Sequence, residues 1–310
     1  MSEIIFHHFD SSPFAEKIRL VFGLKSIAWR SVEIPMVMPK PDLTALTGGY
    51  RKTPVMQVGA DIYCDTQRIA RELERRFPSP SLFPDHSEGL CLALSHWSDT
   101  AFFQAGAGLS MATNDAIPEA VLKDRRAFFN FLDFEDLDAE VPHLFASFNV
   151  QSQLVENMLA DGRSFILGEQ PSWADMLAYF PVWMCRGNIT GANDLLQPFA
   201  RLCNWEQRVS ALGHGERSSM SSMEALEVAR SAMPEVIPTP ESVGSGPAVQ
   251  AEIPIGARVD VLPRDYGSAR VRGELLLNTH TDIAIRRNDE RMGELTLHFP
   301  RNGYQIDQVL

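Results

Sequence analysis

The feature that most constrains this chain is the junction near its start. Glu3-Ile4-Ile5-Phe6-His7-His8-Phe9 is an apolar-rich run that reads as a strand. Beyond it, Ile18, Leu20, Val21, Phe22 and Leu24 fall at the spacing of a buried helix face. Between the two lies Ser11-Ser12-Pro13-Phe14-Ala15. Ser12 stands where a helix N-cap belongs, and Pro13 occupies the first helical position. A hydroxyl is therefore expected at the positive end of a helix, just past a strand, which is a place suited to an anion such as a thiolate. Ser-Pro is also a common way to begin any helix, and on this segment alone the two readings stand level.

Two later segments change that balance. Gly48-Gly49-Tyr50-Arg51-Lys52-Thr53-Pro54-Val55-Met56-Gln57-Val58 carries a glycine turn through a basic pair into a short strand. Proline is tolerated only at strand starts or edges, and a cis Pro54 would leave neighbouring backbone groups to face a ligand. Tyr63-Cys64-Asp65-Thr66-Gln67-Arg68-Ile69 then turns from a strand end into a helix, with Asp65 or Thr66 as its cap.

Taken together, these segments resemble the N-terminal domain of the cytosolic glutathione transferases, a thioredoxin-like βαβ-α-ββα unit. Ser-Pro-Phe opens the first helix, Pro-Val follows, and an acidic and a hydroxyl residue precede the last helix, which ends at Phe77-Pro78. Further on, Ser172-Trp173-Ala174-Asp175 is similar to the capping box of the family's helical second domain. The run from Pro198 to Val209, with Trp205, Arg208 and Val209, resembles one of its later helices. The resemblance covers residues 1–215 or so and rests on five motifs in order.

The expected architecture is an α/β thioredoxin-like domain (1–78) followed by an all-α helical domain (88–234). A Pro/Gly/Ser-rich linker (235–253) then leads to a small all-β domain (254–310). In the helical region, Leu90, Leu92, Leu94, Trp97, Ala101 and Phe102 mark a long first helix. Asp138–Asp161 reads as another, and Ser172 opens a nearly all-apolar one that Pro181 is expected to bend. In the tail, 257–262, 269–275, 282–286 and 294–299 alternate with period two between turn residues, the pattern of a small β-barrel or curled sheet. Its eight arginines match its eight acidic residues, so the formal net charge of −12 lies upstream. The tail lies outside the family's ordinary fold.

That acidic balance argues against nucleic acid and anionic membrane surfaces as partners. No apolar run is long enough to span a bilayer, and the first residues lack the basic start and apolar core of a signal peptide. The four cysteines, Cys64, Cys91, Cys185 and Cys203, are far apart with no Cys-x-x-Cys pair, which argues against zinc sites and a disulfide scaffold and favours reduced thiols. A cytoplasmic protein is expected.

The resemblance implies glutathione as co-substrate, no metal, and a homodimer. It implies Ser12 as the donor that stabilises the glutathione thiolate, with Ser11 as the fallback. Serine at this position disfavours a thiol-disulfide role. Phe14, Thr53, Pro54 and Val55 would line the peptide, the Val55 backbone pairing with its cysteinyl amide. Asp65 would hold the γ-glutamyl ammonium and Thr66 the α-carboxylate. Arg51 and Lys52 reach the glycine carboxylate or form a solvated loop pair, and Lys40 is a substitute ligand. His96, Trp97, Phe102, Phe103 and Gln104 line the pocket for an electrophile or belong to the helix core. His7 and His8 read as structural, and Cys64 as a buried strand residue.

The leading expectation is an enzyme in which thiolate attacks a small, mostly apolar electrophile between the two domains. The alternatives are a non-catalytic transferase-like scaffold or binding protein whose β tail recruits a partner, and a specialised glutathione lyase or isomerase.

Overall fold

The short apolar runs of the first sixty-odd residues become strands because their residues are covered on both faces. In the computed structural model, which describes residues 3–237 and 253–309, β1 (Ile5–His8), β3 (Val55–Val58) and β4 (Asp61–Cys64) consist wholly of buried residues. β2 (Ala28–Glu33) pairs parallel with β1, a pairing that needs a crossover, and α1 (Pro13–Leu24) provides it. β3 runs antiparallel to both β1 and β4. α2 (Pro41–Thr47) precedes β3, and α3 (Thr66–Arg76) follows β4. Gly48 ends α2 in the left-handed region (φ 68°), and its N–H donates to the Thr44 carbonyl.

The thioredoxin-like fold, the helical region and the β extension expected from the sequence are all present. The chain forms two compact units. One contains residues up to Ser12, Ala28–Arg71 and the described residues from Arg217 on; the other contains Pro13–Ile27 and Glu72–Glu216. Residues 238–252 of the expected linker lie outside the described residues.

The second unit is helical: α4 (Glu88–Trp97), α5 (Phe103–Thr113), α6 (Glu119–Phe128), α7 (Leu137–Met158), α8 (Trp173–Asn188), α9 (Ala192–Leu196) and α10 (Ala200–Ser210), with α1 packed on α8. A π-helical turn, Ser98–Phe102, joins α4 to α5. The Ser172 capping box is formed, and Asp175, wholly buried, also accepts the Trp205 indole N–H at 2.8 Å. This satisfies a carboxylate that burial would otherwise make expensive.

The tail is where the first unit differs most from the expected plan. β6 (Arg258–Pro263), β7 (Val271–Asn278), β8 (Asp282–Asp289) and β9 (Gly293–Pro300) occupy the alternating segments, and β10 (Tyr304–Gln308) adds a strand that was not anticipated. Read as a domain of its own, the tail instead shares its sheet with the first strands. With β5 (Glu216–Ser219), the order is β10-β6-β7-β8-β9-β4-β3-β1-β2-β5. The join is a parallel pairing of β4 with β9, Ile62 opposite Leu297 and Tyr63 opposite His298. One apolar core runs across it: Val55, Ile62 and Tyr50 belong with Val261, Ile285, Leu297 and Phe299. α11 (Ser222–Ser231) contributes Ala225, Leu226 and Ala229 to the same core. At the seam, His298 Nε2 meets Asp61 Oδ1 at 2.8 Å, and the His298 ring stacks on Tyr63 at 4.5 Å. Asp61 also accepts the Glu235 N–H at 2.7 Å. The polar groups buried at the seam are thus paired.

Candidate active site

Antiparallel register brings three segments to one end of the sheet. His7, near the end of β1, is opposite Val55, and Val55 is opposite Cys64, the last residue of β4. The residues that follow β1, open β3 and follow β4 therefore share one edge: Ser12, Thr53-Pro54-Val55, and Asp65-Thr66.

At the first corner, the Ser12 N–H donates to the Phe9 carbonyl at 3.0 Å, closing the turn that leads into α1. Ser12 is buried and Ser11 is exposed. Behind this corner, His7 Nε2 lies 2.9 Å from Gln57 Oε1, and burial pushes the His7 imidazole down to about 4 against the raising effect of that bond. His8 is bonded to the Ser31 hydroxyl at 2.9 Å. Both histidines are thus engaged inside the sheet, as a structural role requires.

At the middle of the edge, the Thr53–Pro54 peptide is cis. Lys40 is buried just before α2, and its Nζ donates to Thr53 Oγ1 at 3.2 Å. Arg51 is half-buried. Lys52 is held by the extension: its Nζ is 2.6 Å from Asp265 Oδ2 and 4.4 Å from the centre of the Tyr266 ring.

At the far corner, Asp65 has φ 77°, a left-handed conformation that costs on the order of 1 kcal/mol for a non-glycine residue. Its Oδ1 accepts the Gln67 N–H at 2.9 Å, which caps α3 and offsets part of that cost. Its Oδ2 accepts the Tyr304 hydroxyl at 3.0 Å, and the Tyr304 and Tyr50 hydroxyls are 3.0 Å apart. Burial, reinforced by the negative charge of Asp65, holds both phenols well above their usual range, so both stay protonated donors. Burial and the same charge push the Cys64 thiol up, which leaves it unreactive. Thr66, the first residue of α3, is buried.

Of the residues singled out in the sequence, Ser12, Thr53, Pro54, Val55, Asp65 and Thr66 come together along this edge. Phe14 stands in the helical unit, its ring 4.8 Å from Phe103 and 4.9 Å from Phe180, with Lys17 Nζ 4.5 Å above it. Phe102 and Phe103 are core residues, Phe102 lying 5.0 Å from Phe148. Gln104, by contrast, lines a cavity of about 510 Å³ with Phe131, Leu137 and His143. Cys91 and Cys185 are buried, and burial raises their thiols to about 11 and about 12. Tyr50, Tyr304 and Asp265 were missed. No local pattern ties position 304 or 265 to position 65 or 52, because the links are made only when the extension, β10 for Tyr304 and the turn after β6 for Asp265, folds back.

Comparison with known proteins places the fold that carries this arrangement. The family model for the N-terminal domain of glutathione S-transferase matches residues 6–81. A GST-like protein from Pseudomonas syringae, known from its crystal structure, is 34% identical, with each chain covered over 100% of its length and a TM-score of 0.81. The likeness therefore includes the extension. Glutathione S-transferase U4 of Arabidopsis thaliana is 25% identical over 129 residues, 41% of this chain, and the chain spans only 57% of that relative. The Tau class glutathione S-transferase from mango, Mangifera indica, shares the fold alone. It is 14% identical over 67% of this chain and 89% of its own, with a TM-score of 0.52.

Proposed function

The chain belongs to the glutathione S-transferase family, and from that premise we propose that it binds glutathione along the shared sheet edge and activates the thiol at Ser12 for attack on an apolar electrophile. What supports this most is the register that aligns the end of β1, the start of β3 and the end of β4. An extended peptide laid along that edge meets a different chemistry at each corner. The cysteinyl amide is assigned to the backbone where β3 begins, at Thr53-Pro54-Val55, before the strand is enclosed between β1 and β4. Asp65 faces the γ-glutamyl ammonium, and Thr66, at the head of α3, takes the α-carboxylate. Lys40, beside Thr53, is the cation for the glycine carboxylate, with Arg51 as the second candidate; Lys52 is already engaged by Asp265.

Only the thiolate form of glutathione is reactive. Lowering its thiol pKa by one unit takes about 1.4 kcal/mol of preference for the anion. A hydroxyl donating to an anion contributes about 1.5–3 kcal/mol and a helix N-terminus about 0.3–1 kcal/mol, enough for one to two units. Ser12 is the donor at that helix, and Ser11 is the fallback.

The test is retention on glutathione-agarose together with the ultraviolet absorbance of bound thiolate, in the wild type and in Ser12→Ala. Retention with a thiolate band, and a loss of conjugating activity of about 10- to 100-fold in the variant, is the expected result. Neither retention nor a band in the wild type would turn the assignment toward a non-catalytic scaffold. Full activity in Ser12→Ala would remove Ser12 from the chemistry. Family membership also carries the expectation of a homodimer, which mass in solution checks.

A further inference from the structure

We propose that Tyr304, supplied by the C-terminal extension, is a positioning residue for the amine end of glutathione: its hydroxyl fixes the Asp65 carboxylate in the orientation that accepts the γ-glutamyl ammonium. The proposal rests on the glutathione reading above and deepens it.

Three observations carry it. First, β10 is five strands from β4 in hydrogen-bonding order, yet the sheet curls until Tyr304 returns to the residue just past β4. Second, the contact is specific in its proton arrangement. The negatively charged Asp65 only accepts, so Tyr304 donates to Oδ2, and the Tyr304 oxygen in turn accepts from Tyr50. The Tyr304 ring is locked by burial and by Phe299, whose ring centre is 5.6 Å away, so its hydroxyl has a defined place. Third, the Gln67 N–H holds the other carboxylate oxygen at 2.9 Å. With a donor seated on each oxygen, the side chain is oriented before any ligand arrives, and less ordering remains to be done on binding. A carboxylate accepts about four hydrogen bonds, so protein donors and an ammonium can share it.

The experiment is calorimetric titration of the full chain with glutathione and with the same tripeptide carrying hydrogen in place of its α-amino group. Tyr304→Phe keeps the buried ring and removes only the hydroxyl. The expected result is affinity for glutathione about tenfold weaker, with affinity for the deaminated tripeptide changed less than twofold. A purely structural role would weaken both ligands alike. Tyr50→Phe removes the donor behind Tyr304 and is expected to show the same selectivity at about threefold; it decides the matter if Tyr304→Phe does not fold. Equal weakening of the two ligands, or none, overturns the role of Tyr304 while leaving the glutathione reading intact. A wild type that binds neither ligand overturns both.

Discussion

The two outer corners of the site are held by opposite strategies. Ser12 is fixed by its own neighbourhood, a bond to Phe9 three residues earlier and the helix it opens. Asp65 is held on one oxygen by its neighbour Gln67 but on the other from the far end of the chain, by Tyr304, and Lys52 is held by Asp265. The turn at the thiol corner is closed within four residues, whereas the amine corner is complete only once the last strand is in place. In this chain the extension is part of the sheet that builds the site.

Deleting residues 254–310 breaks the comparison most severely. It uncovers the edge of β4 and strips Ile62 and Tyr50 of the residues that share their core. An unpaired edge beside exposed core is an aggregation site. The expected outcome is loss of soluble, cooperatively melting protein, read by circular dichroism and gel filtration. A truncated chain with an unchanged melting curve would make the two halves of the sheet independent.

A milder probe acts inside the sheet behind the thiol corner. His7 titrates at about 4 in the folded chain against an ordinary value of 6.5. Below about pH 6.5 the unfolded chain takes up a proton that the folded chain refuses until about pH 4. Stability is therefore lost as pH falls through that window, at about 1.4 kcal/mol per pH unit and about 3 kcal/mol in all. Urea unfolding at stepped pH measures this, and His7→Gln is expected to flatten its share of the slope.

The smallest effect belongs to Lys52→Ala. Its partner Asp265 is exposed, and such pairs contribute about 0–1 kcal/mol, so the melting temperature should move by no more than a few degrees. A larger shift would show that the extension grips the middle of the site as firmly as the amine corner.

The sequence was readable wherever structure is made by neighbours. Ser12-Pro13 predicted a helix start, Ser172 with Asp175 a capping box, and the period-two runs four strands of the tail, because each signal lies within one turn or one strand. α6 gave no signal because none of its residues is buried, so it has no apolar stripe to read. β10 was passed over as a short segment behind Arg301-Asn302-Gly303, although Tyr304 and Ile306 alternate as core residues. The pairing of β4 with β9 was illegible for a deeper reason: each strand shows that it will be buried, and neither says by what.

That pairing sets a timetable for synthesis. Asp61 is opposite Thr296 and Tyr63 opposite His298, so β4 leaves the ribosome long before its neighbour exists. At about 5–20 residues per second the wait is on the order of tens of seconds. Through that interval the nascent chain carries a half-finished sheet whose open side invites whatever strand arrives first, and a chaperone able to shield it would have its work before translation ends.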